Sequence, residues 1–343
     1  MATSARGINE FPFEPIAKDL REGKCIPFLG AGASSFPKDF ATKPPNAATL
    51  ARELAEEWVH PQFLIFRDLA GSNDQAAQER CLRARFDCEN LMLVSSWVEH
   101  GLGDRSRLGE KLREYLADKP LPCNPLHDLL ARVAQQKPLA IITTNYDDLI
   151  EQALLKKEVP FDLFVVAIDR PATEGRPQGA LLFRPAGQDK LEPVTAEQQL
   201  MDLELDRGQI QLKRSVLFKI HGHIDRRRES DDTFVITEED YVSFLGRMGS
   251  GEPVIPAELV TMMQKRTLLF LGYSLRDWNF RVLLDRMKNS SLQPRRSYAV
   301  CYDIDPAESE LWSARKVAVF EADLNEFVPR LDAALALETP LPT

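Results

Sequence analysis

Four apolar segments, each followed at once by a short polar or glycine-containing motif, constrain the fold of this chain most. Each segment has the length and composition of a buried strand. They are residues 26–29, 139–142, 216–220 and 268–271. The motifs that follow them are residues 30–34 (Gly-Ala-Gly-Ala-Ser), 143–147 (Thr-Thr-Asn-Tyr-Asp), 221–222 (His-Gly) and 272–275 (Gly-Tyr-Ser-Leu). Because ligands of open α/β sheets bind beyond the carboxyl ends of the strands, we expect the four motifs to converge on one cleft.

Strand-like and helix-like segments alternate along most of the chain. Besides the four strands above, the pattern predicts strands at 163–168, 181–184, 233–236, 298–302 and 316–320. It predicts helices at 14–23, 238–246, 256–265, 277–288, 306–314 and 324–336. Alternation of this kind predicts an α/β fold with a Rossmann-like, mostly parallel sheet and helices on both faces. A single domain over residues 14–330 accounts for the pattern.

Two regions interrupt the alternation. Residues 46–117 contain several amphipathic helical stripes between the first and second strands, which is too long for a simple crossover. We interpret them as an inserted helical lobe. Residues 185–211 are polar and are expected to form a surface excursion. Asn124 and Pro125 predict a helix start, because asparagine caps free amides and proline suits the first helical position.

Composition excludes several classes of protein. The 43 basic and 52 acidic residues give a net charge of −9, which argues against direct nucleic-acid binding. The run at 226–228 (Arg-Arg-Arg) is either a solvated loop or, less expectedly, a phosphate contact. Five scattered cysteines without a Cys-x-x-Cys pattern predict no metal site and fit a cytoplasmic protein. No apolar stretch approaches the roughly 20 residues that span a membrane.

The glycine motif at 30–34 has two interpretations. After a strand, its small residues let backbone amides approach a diphosphate; the residues concerned are Gly30, Ala31, Gly32, Ala33 and Ser34. The alternative is a tight turn. The motif lacks the third glycine of the dehydrogenase fingerprint and the lysine of a Walker loop, so an ATPase is not predicted.

Polar residues after the second and third strands are candidates for chemistry. Asn145 could donate to and accept from a sugar, and Asp147 could accept from an amide or hydroxyl; the alternative for Asn145 is a cap for a helix at 147–156. His221 could act as a general base near neutral pH, and its alternative is a buried histidine with satisfied hydrogen bonds. His223 is expected to be a loop residue.

The motif that ends the fourth strand could hold the second part of a dinucleotide. Gly272 would contribute backbone and Ser274 a hydroxyl, whereas the alternative is a strand-to-helix turn. Asp303, at the end of the predicted strand 298–302, could accept from an adenosine ribose hydroxyl. It could equally cap the helix that starts near Pro306.

These four motifs, in this order, resemble those of the sirtuin-like superfamily. Residues 30–34 look like its first NAD loop, and residues 143–147 look like its Thr-Gln-Asn-Ile-Asp segment in the form typical of bacterial defence members. His221-Gly222 is similar to its catalytic His-Gly, and residues 272–275 to its Gly-x-Ser segment. Two departures weaken a deacylase assignment. Residues 223–271 contain no cysteine for the four-cysteine zinc module, and residues 39–41 read Asp-Phe-Ala instead of Asp-Phe-Arg.

The resemblance implies a function and a role for each residue. It implies an NAD glycohydrolase that depletes NAD in anti-phage abortive infection, with NAD as substrate and no metal. Asn145 would hold the ribose and water, Asp147 the nicotinamide amide, and His221 would be the base. The remaining contacts to NAD would come from residues 30–34, Thr144, Gly272, Ser274 and Asp303. The alternatives are an NAD-dependent protein deacylase and a non-catalytic module that senses NAD or ADP-ribose.

The resemblance also implies control by other proteins. An enzyme that destroys NAD without a co-substrate is toxic if always active. We therefore expect a homo-oligomer and a separate sensor or activator, such as a HerA-like ATPase or a short Argonaute. The helical lobe, with Trp58, Phe63 and Phe66 as exposed candidates, is the expected contact surface.

Overall fold

The computed structural model of the chain describes most, but not all, of its length. The described residues are 6–36, 43–59, 87–103, 105–167, 181–194, 203–206, 209–227, 232–250, 255–274, 284 and 296–336. Phe63, Phe66 and Leu275 lie outside these ranges, as does the predicted helix at 277–288 apart from Leu284.

A large mixed sheet forms the centre of the described structure. In spatial order its strands are β1 (Arg6–Gly7), β14 (Val317–Glu321), β13 (Ser297–Cys301), β12 (Thr267–Leu271), β2 (Cys25–Leu29), β3 (Ala140–Thr143), β9 (Ser215–Lys219), β4 (Phe161–Val166), β5 (Leu181–Arg184) and β6 (Glu192–Pro193). In this spatial order, each pair of neighbouring strands from β1 through β9 to β4 is parallel, whereas the pairs β4–β5 and β5–β6 are antiparallel. The predicted α/β, mostly parallel sheet is confirmed.

Helices connect these strands. They are α1 (Phe13–Arg21), α2 (Ala31–Ser34), α3 (Ala47–Leu54), α4 (Leu91–Leu102), α5 (Ser106–Leu116), α6 (Pro125–Gln136), α7 (Leu149–Lys156), α8 (Glu238–Ser250), α9 (Ala257–Lys265), α10 (Pro306–Ala314) and α11 (Leu324–Leu335). The side chain of Asn124 accepts from the amides of Leu126 and His127, so the predicted start of α6 is confirmed. Within the described part of the chain, every helix is too short or too polar to cross a membrane.

The two faces of the sheet build two separate apolar cores. In β2, Cys25 and Leu29 join one buried cluster and Ile26 and Phe28 join the other, because successive side chains of a strand point to opposite faces. Helices α1, α6, α7 and α11 cover the first face. Helices α8, α9 and α10 cover the second. The sheet is therefore wound on both sides.

A third apolar cluster joins α3, α4 and α5. It includes Leu50, Val94 and Leu112 and extends to Ile224 and Phe234 beyond β9. Trp58 is partly buried against this cluster, so the expectation that it lies exposed is wrong. The limits of the lobe at 46–117, like those of the single domain at 14–330, stay predictions.

Two arginines attach this helical block to the chain after β9. That chain forms a hairpin of β10 (Gly222–His223) and β11 (Thr233–Phe234). Arg105 donates to the Phe234 carbonyl and to Asp240, both at 2.9 Å. Arg113 bonds Asp232 at 2.6 Å. The block thus holds the hairpin and the start of α8 in place.

The region predicted as a surface excursion contains strands. Within residues 185–211, β6 lies at the edge of the large sheet. A separate antiparallel hairpin is formed by β7 (Leu203–Asp206) and β8 (Gln209–Leu212). Residues 195–202 and 207–208 of the excursion lie outside the described structure.

Candidate active site

The strand register places the four motifs side by side. Leu271 of β12 pairs with Leu29 of β2, Leu29 with Thr143 of β3, and Thr143 with Lys219 of β9. The second motif begins at the last residue of β3, and the other three begin one or two residues after the ends of their strands, so all four leave the sheet at one edge. The next strand of the sheet along the chain, β3, pairs with one edge of β2, and the much later strand β12 pairs with the other edge. This switch point is where open α/β sheets bind ligands.

Three glycines bring the first and fourth motifs into backbone contact. Gly272 has a φ of +61°, and a Cβ atom there would lie 2.2 Å from the amide nitrogen of Ala33. A Cβ atom on Gly30 would lie 2.5 Å from the Cα atom of Tyr273. The amide of Gly32 donates to the Gly272 carbonyl at 2.9 Å. Any side chain at these positions would push the two loops apart.

Much of the backbone in the glycine motif is already hydrogen-bonded within the protein. Besides Gly32, the amide of Gly30 donates to Leu271 at 3.1 Å and that of Ala33 to Gly30 at 2.8 Å. A diphosphate that binds this motif must therefore contact groups other than the amides of Gly30, Gly32 and Ala33. Asn124 fixes the motif from outside, since its Nδ2 donates to the Ala33 carbonyl at 2.6 Å.

Ser34 connects the glycine motif to the segment after β3. Its hydroxyl accepts from Nδ2 of Asn145 at 2.9 Å, and it donates to the carboxylate of Asp147. The carboxylate also accepts from the Leu149 amide at 3.1 Å. Burial raises the pKa of the Asp147 carboxyl above its usual value, and the nearby Lys219 ammonium opposes that rise.

The carboxamide of Asn145 is buried and only half used by the protein. The residue is 8% exposed, and among the described residues its Oδ1 atom has no hydrogen-bond partner. Helix α7 begins at Leu149 and its first amide bonds Asp147 instead, so the alternative of Asn145 as a helix cap is wrong. A buried acceptor without a partner leaves a place for a hydroxyl or a water molecule.

His221 lies in the equivalent position on the neighbouring strand. It follows Lys219 by two residues, as Asn145 follows Thr143, and these two strand residues are paired. The ring is buried and meets the edge of Tyr241 of α8 at a centroid distance of 5.4 Å. Gly222 has a φ of +96°, and a Cβ atom there would lie 2.2 Å from the Thr233 carbonyl. The glycine therefore lets the β10–β11 hairpin fold back directly after the histidine.

A buried charged cluster beside these residues was not predicted. The Lys219 side chain is fully buried, and its Nζ atom bonds Glu151 at 2.9 Å and His223 Nδ1 at 3.1 Å. His223 contacts Asp225 through Nε2 at 3.4 Å. The expectation of a loop position for His223 is wrong, because it lies in β10 and is 2% exposed. A lysine inside an apolar strand was the available signal, since such an ammonium needs partners.

Burial disfavours the charged form of the His223 imidazole. Burial, and next the Lys219 charge, lower the pKa of the imidazole. A neutral ring that accepts from Lys219 at Nδ1 carries its proton on Nε2, facing Asp225.

The arginine run at 226–228 contributes a structural contact. Arg226 bonds both carboxylate oxygens of Asp148 at 3.3 Å and the Leu116 carbonyl at 3.1 Å. It therefore joins the end of α5 to the segment before α7. Arg228 lies outside the described residues.

A cavity of about 770 Å³ opens on the glycine side of this edge. Gly32, Gly272, Tyr302 and Asp323 are among the residues that line it, whereas Asn145 and His221 are not. Asp303 is exposed and does not line the cavity, where its neighbour Tyr302 does. Its alternative as a helix cap is wrong, because Asp305 caps α10.

The other predicted contacts are at the same edge. Thr144 bonds the Leu29 carbonyl through its amide at 3.1 Å and through its hydroxyl at 3.4 Å. Ser274 is exposed after β12. In the described ranges, no group of three or more histidine, cysteine or acidic residues is arranged to hold a metal ion.

Comparison with known proteins decides the family. A model described as a SIR2-like domain matches residues 139–320, which is more than half of the 343 residues. The chain belongs to the SIR2-like family. Three of its four motifs lie inside the matched range. The SIR2-like chain is also 24% identical over 296 residues to Defense-associated sirtuin 2 of Bacillus subtilis. That match covers 86% of this chain but 22% of the relative, so the chain spans about a fifth of the relative's length.

Proposed function

We propose that this chain is an NAD glycohydrolase, which cleaves the bond between nicotinamide and ribose with water to give nicotinamide and ADP-ribose. One observation carries the proposal. At the switch point of a SIR2-like sheet, Nδ2 of the buried Asn145 carboxamide donates to Ser34 of the glycine motif. Its Oδ1 atom has no hydrogen-bond partner among the described residues. The adjoining cavity has a volume within the range of ligand pockets.

Each predicted residue has a role in this proposal. Asn145 accepts from a ribose hydroxyl or the attacking water, and His221 receives the proton that the water loses. Asp147 accepts from the nicotinamide carboxamide.

Ser34 orients Asn145 and Asp147 together. The walls toward the diphosphate and adenosine are formed by residues 30–33, Thr144, Gly272 and Ser274. For the adenosine end, the lining of the cavity favours Tyr302 over Asp303.

The site must stabilise positive charge on the sugar as the bond breaks. Glycosidic cleavage passes through an oxocarbenium-like transition state. The Asn145 oxygen supplies a dipole at this edge, and the Asp147 carboxyl supplies a negative charge in its ionised form. The charge of Lys219 favours ionisation of Asp147 against the effect of burial.

Measurement of nicotinamide release from NAD tests the proposal directly. His221→Ala should lower the rate by about a hundred- to ten-thousand-fold, the usual cost of losing an acid–base group. Asn145→Ala should lower it by about a hundred- to a thousand-fold, the usual cost of losing a hydrogen-bonding group at the reaction centre. Asn9→Ala and His100→Ala, both at exposed positions, serve as matched controls. Wild-type rates in both site variants, at equal folded concentration, would place the chemistry elsewhere. NAD binding without any nicotinamide release would favour the sensing module.

A separate assay distinguishes the hydrolase from a deacylase. The sequence has no cysteine between residues 223 and 271, so the zinc module of deacylases has no ligands there. We expect acyl-lysine peptides to be turned over far more slowly than NAD, and purified protein to contain no stoichiometric zinc. Peptide turnover as fast as NAD hydrolysis would contradict this.

We further propose that the activity serves anti-phage defence by depleting NAD. The name of the Bacillus subtilis relative, a defence-associated sirtuin, supports this step. Toxicity requires control, so we propose a homo-oligomer and a separate sensor or activator of the HerA-like ATPase or short-Argonaute kind. NAD levels in infected cells test the first statement. Light scattering and turnover of the isolated chain test the second, and a fully active monomer would refute it.

A further inference from the structure

The fully buried ammonium of Lys219 contacts the active-site segment through the backbone. Its Nζ atom donates to the Tyr146 carbonyl at 3.1 Å and to the Asp147 carbonyl at 2.5 Å. These two carbonyls lie directly after Asn145. The same ammonium bonds Glu151 in α7 and His223 in β10. One charge therefore joins three elements that surround the proposed site.

The number of partners shows that this contact is specific. An ammonium has three protons, and four acceptors surround this one, so one hydrogen bond is shared. Glu151 and His223 are themselves 3% and 2% exposed. Burial of such a charge is costly, and replacement of a buried ion pair by apolar residues is often neutral for stability. A contribution to stability therefore does not by itself explain why a lysine stands here.

We propose that Lys219 is a positioning residue for the reaction. Its ammonium holds the carbonyls of Tyr146 and Asp147, and thereby fixes the backbone from which the Asn145 and Asp147 side chains reach Ser34. Lys219 acts through these residues and does not touch the substrate. The rate measurement for this inference rests on the proposed NAD hydrolysis, whereas the contact itself does not.

The decisive variant removes both charges of the ion pair. In Lys219→Met/Glu151→Leu, no buried charge of the pair is left alone, but both carbonyls lose the ammonium as a donor; the Tyr146 carbonyl keeps the Ile224 amide at 3.0 Å. We expect nicotinamide release to fall about a hundredfold, the usual cost of a small displacement of catalytic groups. Binding of ADP-ribose should stay within about threefold of wild type, because the contacts between the two glycine motifs are unchanged. Loss of fold would weaken both together.

Two further variants isolate the carbonyl contacts. Glu151→Gln keeps the ammonium and both carbonyl bonds, so at equal folded concentration it should retain more than about a tenth of the wild-type rate. Lys190→Met, which removes an exposed lysine paired with Glu192, should have no effect. The inference is overturned if the double variant releases nicotinamide at a near-wild-type rate, or if Glu151→Gln loses as much as the double variant. If the double variant does not fold, Lys219→Leu/Glu151→Gln, which also lacks a donor at position 219, takes its place under the same two criteria.

Hydrogen exchange separates this inference from the proposed function. If wild-type protein releases no nicotinamide, the proposed function fails and the exchange data decide the role of Lys219. Amides of residues 143–150 should exchange at least several-fold faster in the double variant, while those of β12 stay protected. Unchanged exchange at 143–150 would overturn the inference.

Discussion

The two halves of the proposed site are held together by different physics. Between β12 and β2, Gly272 and Gly32 touch through their backbones. Between β3 and β9, a buried lysine bonds two carbonyls, a carboxylate and an imidazole. The first contact tolerates no added atom, whereas the second tolerates no unpaired charge. Each half should therefore fail under a different kind of substitution.

The largest effect is expected where one charge of the buried pair is left alone. Lys219→Met leaves the Glu151 carboxylate buried without its partner and should lower the free energy of unfolding by about 3–5 kcal/mol. Adding Glu151→Leu should restore most of that loss. Chemical denaturation of wild type and both variants measures it. If the single and double variants are equally unstable, the charged half is held by shape and not by charge.

The next effect belongs to the glycine half. Gly272→Ala combines a φ of +61° with a Cβ atom 2.2 Å from the Ala33 nitrogen. We expect a loss of roughly 2–4 kcal/mol from backbone strain and overpacking together. Gly187→Ala is the matched control, since Gly187 has a φ of +81° and nothing within 4 Å of the added atom. Equal losses at both positions would show that the loop contact is unimportant.

A pH dependence of stability should come from α6, the helix whose cap Asn124 bonds the glycine motif. His127 in α6 is buried, and burial lowers its pKa to about 3. Below pH ~6.5, the usual pKa of histidine, this side chain binds a proton in the unfolded chain but not in the folded chain. Its contribution to stability is therefore complete above pH ~6.5 and is lost as the pH falls toward ~3. At pH ~4.5 this histidine should cost about 2–3 kcal/mol.

The variant His127→Gln should remove that part of the pH dependence. Exposed His100→Gln should leave it unchanged. Denaturation curves at several pH values between ~4.5 and ~7 give the comparison. Parallel pH profiles for wild type and His127→Gln would contradict the assignment.

The smallest effect is expected at the residue that joins the halves. Ser34→Ala removes one hydrogen bond to Asn145 and one to Asp147 and should cost about 1 kcal/mol. Ser215→Ala removes a comparable buried hydrogen bond, to the Leu139 amide, at the opposite end of β9. Both should lose similar stability, but only Ser34→Ala should slow nicotinamide release. Equal rates would mean that Ser34 does not orient the amide and the carboxylate.

The two halves also differ in how far the sequence predicts them. The glycine half could be anticipated, because a glycine directly after an apolar strand indicates a turn or a close backbone approach, and the strand ends align through regular pairing. The ammonium of Lys219 could not be assigned its partners. Glu151 lies 68 residues away in another element, and no local sequence pattern indicates which buried charges will meet. From the sequence alone, His223 has the pattern of an exposed loop residue; its burial depends on the β10–β11 hairpin, which the sequence does not reveal.

The central position of β2 has a consequence for synthesis of the chain. One edge of β2 is completed by β3, but its other edge waits for β12, and the contact between Gly30 and Tyr273 closes with it. A ribosome must therefore deliver more than two hundred further residues after the first motif before the cleft can exist. Contacts so distant along the chain form late in folding. For the proposed NAD hydrolysis, the nascent chain therefore has no complete site until β12 has been synthesised.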